Sequence, residues 1–133
     1  MQFSTAVRNA MLDAIETAIG TGAVCKFRTG AVPANCAAAD SGTVVATFTL
    51  ATDWASAASA GAKAWSSVPV SVASSNSGTL GHYRVYASDG TTCHEQGTIT
   101  ATGGGGDLTV DSLAVTAPQV INITAKSLTA PNA

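Results

Sequence analysis

Residues 80–101 read LGHYRVYASDGTTCHEQGTITA. Two alternating runs, Leu80–Ala87 and Thr92–Ala101, flank Ser88-Asp89-Gly90. Asp-Gly between alternating runs is the strongest short-range signal for a β-hairpin, because its backbone accepts the left-handed turn that matches strand twist. A two-residue turn sets Arg84 opposite Glu95 as a cross-strand ion pair. That register also faces Tyr83 and Val85 toward Gln96 and His94. A three-residue turn with a bulge brings Val85 near Cys93 and gives a better apolar face. Alternation alone leaves both open, since a one-residue slip turns the partner strand over.

Working outward, Ala23–Thr29 alternates Cys25 and Phe27 with Lys26 and Arg28, and Thr43–Leu50 sets Val44, Ala46, Phe48 and Leu50 on one face. Both read as strands with one buried side. The stretch 31–42 between them holds Pro33, Asn35, Asp40 and Gly42 and reads as a surface loop. Ala51–Gly61 fits either a short helix over Trp54–Ala60 capped by Asp53 or a plain loop. Trp65–Ala73 alternates weakly, and Pro69, which has no N–H for a ladder, makes it an edge or bulged strand. Four glycines at 103–106 break the chain. Leu108–Leu113 and Val120–Thr124 then read as two further strands, and the tail 125–133 either extends the last one or reaches a neighbour.

Only residues 4–19 carry a helical period. Val7, Ala10, Met11, Ala14, Ile15, Ala18 and Ile19 form an apolar stripe, with Arg8, Asp13 and Glu16 off it. Ser4 is placed to cap the start, and Gly20 and Gly22 to end the helix. The expected architecture is a single domain over 1–133, mainly β: the helix at 4–19, an antiparallel β-sandwich of jelly-roll type over 23–124, and the tail. The helix covers a sheet edge or docks outside the sandwich.

The 133 residues are 46% hydrophobic and only 11% charged, with a net charge of −2. Ser, Thr, Ala, Gly and Asn must therefore make most of the surface. Such a surface guards poorly against association, because net charge keeps proteins apart. We expect a partner to cover much of it. The six basic residues are scattered, so no stripe exists to neutralise nucleic-acid phosphates. No apolar run nears the ~20 residues of a membrane span, and the N-terminus lacks the pattern of a signal peptide. Synthesis in a cytoplasm, with no nucleic-acid or membrane partner, is the expectation. Three cysteines, an odd count, favour free thiols, although a Cys25–Cys36 bridge is left open.

No residue is assigned to catalysis, to a cofactor or to a metal. Cys93-His94-Glu95 resembles a metal or catalytic cluster, but along a strand His94 faces away from its two neighbours, and zinc asks for four N or S ligands. No cysteine has a neighbouring base held by a third group. The glycines before Asp107 lack the Lys and the following helix of a phosphate cradle, so they read as a flexible tip. Trp54 and Trp65 read either as core anchors, the commoner role, or as platforms for a sugar or a partner, and the sequence leaves both open. Asn122-Ile123-Thr124 is a glycosylation sequon with meaning only on a secretory route.

Several segments carry a resemblance: FSTAVRNA at 3–10, LDAIETAIG at 12–20, FRTGAVPANC at 27–36, AAADSGTVVAT at 37–47 and LTAPNA at 128–133. In these the chain resembles a group of small structural proteins of tailed-bacteriophage virions. The resemblance implies a setting rather than an activity, and it transfers no catalytic residue. It implies a protein made in a bacterial host's cytoplasm and carried in the virion. The leading expectation is a capsid decoration (cement) protein that binds the major capsid protein and copies of itself, as a homo-oligomer. The alternative is a tail or fibre component in contact with other tail proteins, with Trp54, Trp65 and 103–106 at a host-recognising tip.

Overall fold

The computed structural model describes residues 1–66, 68 and 70–131. In chain order these form α1 (Thr5–Ile19), β1 (Val24–Thr29), β2 (Val44–Thr49), β3 (Ala62–Ala64), β4 (Val70–Ala73), β5 (Gly78–Tyr86), β6 (Cys93–Ala101), β7 (Leu108–Val110), β8 (Ala114–Val115) and β9 (Val120–Thr129). The hairpin of β5 and β6 is there, with a turn of neither expected length. The Ala87 N–H donates to the Thr92 carbonyl at 2.9 Å, so residues 88–91 make the loop. The Asp89 carboxylate fastens it by accepting the Thr91 and Thr92 N–H groups, each at 2.8 Å. A bulge then intervenes: Tyr86 pairs with Cys93, Val85 with Glu95 and Arg84 with Gln96. His94 is the extra residue that the bulge absorbs.

The ladder runs β2-β1-β5-β6-β7-β9-β3, with β4 also on β9 and β8 also on β5. All pairs are antiparallel except β6 with β7. The chain is thus mainly β with one N-terminal helix, as expected, and its strands join in one curled mixed sheet. The curl brings the two ends of the path together. Just past β4, the Ser75 and Asn76 N–H groups both reach the Val45 carbonyl of β2, at 2.8 and 3.2 Å. Phe27, Val45, Val72, Tyr83, Ile99 and Ile121 fill the one core inside the curl.

Several boundaries differ from expectation for physical reasons. The last strand runs on to Thr129, so the tail extends it as far as Ala130, which is buried; residues 132–133 lie outside the described residues. Lys126 hid that extension, because its charge breaks the apolar pattern while its amine lies inside, 2.6 Å from Glu95. Residues 54–60 form no helix; they cross the neighbouring chain through the isolated bridges Ala55–Trp65 and Ser59–Ala62. The expected strand at 65–73 resolves into β3 before Trp65 and β4 after it, and Pro69 lies outside the described residues.

The glycine run has a structural task. After β6 the chain turns back within residues 102–107 and lies parallel to the strand it left, Ile99 beside Leu108. Parallel neighbours usually need a longer crossover. Here the Gly106 N–H donates to Thr100 Oγ1 at 2.9 Å, and the Asp107 carboxylate accepts the Thr98 N–H and hydroxyl, both at 2.8 Å. A Cβ on Gly104 or Gly106 would run into the Thr100 side chain. Close approach, rather than freedom at a tip, accounts for these two residues.

Candidate functional site

The basic residues, few to begin with, all turn to internal work. Arg28, Lys63, Arg84 and Lys126 are buried. Arg28 and Arg84 share the Asp40 carboxylate, which also accepts the Tyr86 hydroxyl at 2.7 Å. Arg84 donates further to the carbonyls of Asn35, Cys36 and Ala38, and Arg28 to that of Ser41. The loop 31–42 is therefore strapped onto the outer face of β1 and β5. Burial works against the charged form of Asp40, yet the Tyr86 hydroxyl and the two guanidiniums hold its carboxyl below the usual range. Lys26 donates to the Gly90 carbonyl at 2.7 Å and sits over the Tyr86 ring. Lys126 bonds Glu95, which also accepts the Tyr83 hydroxyl at 2.6 Å.

The helix docks by the same logic. Three backbone N–H groups of the loop leading to β3 need acceptors, since an unpaired buried N–H is costly. The side chains of α1 supply them: Glu16 accepts from Ala55 at 3.3 Å, Asp13 from Ala58 at 3.0 Å and Asn9 from Gly61 at 2.8 Å. Lys63 lies between Asp13 and Glu16 at 2.8 and 2.9 Å. Burial opposes its charge, but the two carboxylates prevail and raise its pKa. Arg8 donates to the Ala130 carbonyl at 3.0 Å and ties the helix to the end of β9.

This docking rotates the helix away from the face expected from the apolar stripe, of which only Ile15 and Ile19 turn inward. Leu12 and Ile19 are buried and Ile15 is half-buried, alongside the polar Arg8, Asn9 and Glu16. The rest of the stripe faces out: Ala10, Ala14 and Ala18 are exposed, as are Val7 at 44% and Met11 at 41%. All the charged residues of α1, namely Arg8, Asp13 and Glu16, bond back to the β domain. The strip of Val7, Met11, Ala14 and Ala18 on the outward side holds no charged residue. No protein-family model, curated protein or solved structure matches the chain. Charge and geometry carry the functional reading.

Cys93, His94 and Glu95 do not converge. Their pairing partners Tyr86 and Val85 are adjacent in β5 and so point to opposite faces, which puts Cys93 on the outer side and turns Glu95 inward. Burial and the neighbouring Cys36 thiol push the Cys93 thiol up to about 11, far from a nucleophile's range. Cys25, Cys36 and Cys93 are all free, and Cys25 lies wholly in the core, so the Cys25–Cys36 bridge is not formed. His82 is buried beside the Gly30 carbonyl, 3.0 Å from its Nδ1. Among the described residues no group of three or more His, Cys, Asp or Glu is arranged to hold a metal ion.

Trp54 and Trp65 are core anchors, packed edge-to-face with centroids 6.1 Å apart. They adjoin an apolar cavity of about 270 Å³ lined also by Phe48, Leu50 and Val70. Neither ring stands at a surface tip. Sequence reasoning missed the outward turn of α1. The available signal was the polar set Asn9, Asp13 and Glu16, whose spacing lines one side of the helix with acceptors.

Proposed function

We propose that the chain is a structural protein of a tailed-phage virion, a capsid decoration protein that binds the major capsid protein and acts by covering surface rather than by reacting. The outward, uncharged apolar side of α1 carries this reading. A side of that kind asks to be covered, because exposed apolar area gains about 25 cal/mol per Å² on burial. The engagement of every basic side chain inside the molecule supports it, since docking then needs no charge steering. The resemblance in 3–47 supplies the setting. Many weak contacts on one shell add through avidity to a mechanical gain.

The tail or fibre alternative draws no comparable support. Trp54 and Trp65 are inward, and 103–106 folds back onto β6. The test is co-sedimentation of the purified chain with isolated heads and, separately, with tails. Saturable binding to heads, with a higher temperature of head disruption, is expected. Binding to tails or host envelopes alone overturns the proposal.

A further inference from the structure

We infer that Cys36 and Cys93 are a redox pair, closing to a disulfide that fastens loop 31–42 to β6 when the chain leaves a reducing compartment. The inference goes beyond the virion reading and does not depend on it.

Two independent sets of contacts bring the thiols together. From the sheet, Arg84 pairs with Gln96, and Tyr86 pairs with Cys93 beyond the bulge. Arg84 and Tyr86 lie two residues apart in β5, so both point outward, where both reach Asp40. Cys93, opposite Tyr86, stands on that same side. From the loop, Gln96 donates to the Pro33 carbonyl at 2.6 Å and Arg84 to the Cys36 carbonyl at 2.9 Å. Cys36 is thus held over the rungs that carry Arg84 and Tyr86, and its thiol is a hydrogen-bonding neighbour of the Cys93 thiol. Both residues are half-buried, within reach of a small oxidant. Cys25 is sealed in the core and takes no part.

The oxidant is a small disulfide of the glutathione type. The Cys36 thiolate attacks one of its sulfurs, the external S–S bond breaks, and one glutathione thiolate leaves. Cys93 then gives up its proton and attacks the Cys36 sulfur, expelling the second glutathione thiolate. Two protein thiols are oxidised, the external disulfide is reduced, and the two protons pass to the two leaving thiolates. The order follows from Cys93, whose raised pKa leaves little thiolate near neutral pH. Cytoplasmic glutathione keeps such a pair open, and an oxidising medium closes it. The bond makes the loop indifferent to acid. Its other strap is the Asp40 carboxylate, which protonation removes.

The purified chain, reduced and then freed of reductant, is incubated at low protein concentration with oxidised glutathione. Remaining thiols are alkylated in urea before mass spectrometry. The expected product is a monomer lighter by about 2 Da, the two hydrogens lost, with Cys25 alone alkylated and a peptide joining 36 to 93. It should outnumber mixed glutathione disulfides at least tenfold at equilibrium. Cys36→Ser and Cys93→Ser, each checked for folding by circular dichroism, should yield mixed disulfides only. At one acidic pH, amide exchange across loop 31–42 should be at least tenfold slower in the oxidised chain than in the reduced one. Mixed disulfides or covalent dimers in place of the internal bond overturn the inference, and so does a bond that leaves loop exchange unmoved. A chain that forms the bond yet binds no heads upholds the inference and sinks the virion reading alone.

Discussion

Two ion clusters hold the non-strand parts of the molecule against the sheet, and they are built in opposite senses. At one, a single carboxylate, Asp40, serves two guanidiniums, Arg28 and Arg84. At the other, a single ammonium, Lys63, serves two carboxylates, Asp13 and Glu16. The first straps loop 31–42, whose exposed carbonyls need donors, and arginine has five. The second seats α1 on residues 55–61, whose N–H groups need acceptors, and carboxylates accept only. In each case the charge type answers the backbone groups that the segment leaves unpaired. The clusters also differ in which member is buried: at the first it is the two guanidiniums, while the shared carboxylate is 39% exposed; at the second it is the shared ammonium, while the Asp13 side chain is 49% exposed.

Removing the shared member of each cluster is the sharpest way to break the comparison. Asp40→Ala leaves two buried guanidiniums without a carboxylate and is expected to cost about 3 kcal/mol, the lower part of the range for breaking a buried pair, because Asp40 itself is partly hydrated. Lys63→Met strands carboxylates that water can reach, so about 2 kcal/mol is expected. Urea unfolding of both variants checks the order, and a larger loss for Lys63→Met would invert the account.

Acid and alkali separate the clusters further. The Asp40 carboxyl is depressed, so its contribution is present above the unfolded value near ~3.9 and is lost as pH falls through the folded value. His82 is also depressed, chiefly by burial. The unfolded chain therefore takes up that proton first, and stability falls as pH drops below ~6.5. Lys63 is raised; its contribution is whole below ~10.4 and disappears as pH climbs through the folded value. Urea midpoints across pH should thus decline at both extremes, with His82→Gln flattening the span between 7 and 5 and Lys63→Met flattening the alkaline limb. Unchanged slopes in both variants would remove these groups from the explanation.

The smallest expected effect is at Ser4, whose hydroxyl oxygen accepts the Val7 N–H at a solvent-exposed helix start. Ser4→Ala should cost about 0.5–1 kcal/mol. It should also raise amide exchange in the first turn of α1 while leaving loop 31–42 protected.

Much of the fold is legible in the alternation of β1, β2, β5 and β6, because period two follows directly when one side of a strand meets the core. Legibility ends where a distant segment decides the outcome. Arg28 and Arg84 read as solvent-facing until loop 31–42 covers them. Lys126 reads as a strand breaker until Glu95, remote in sequence, meets it inside. The bulge at His94 reverses the faces of a hairpin whose existence was plain. For the proposed surface, composition alone raises the expectation of a cover. It did not say where, because the period that locates α1 is blind to which side it docks. Ala55, Ala58 and Gly61 make that choice through their N–H groups, some forty to fifty residues downstream.

Beside β4 the curled sheet is latched at one point: the Val45 carbonyl receives both the Ser75 and the Asn76 N–H, and the Asn76 side-chain amide donates to the Val44 carbonyl next to it. Breathing of the latch at that point can be followed at two amides. When it parts, an unpaired rim of β2 is bared, and in a molecule with so little like-charge repulsion that rim is the place where strand exchange between neighbours would begin.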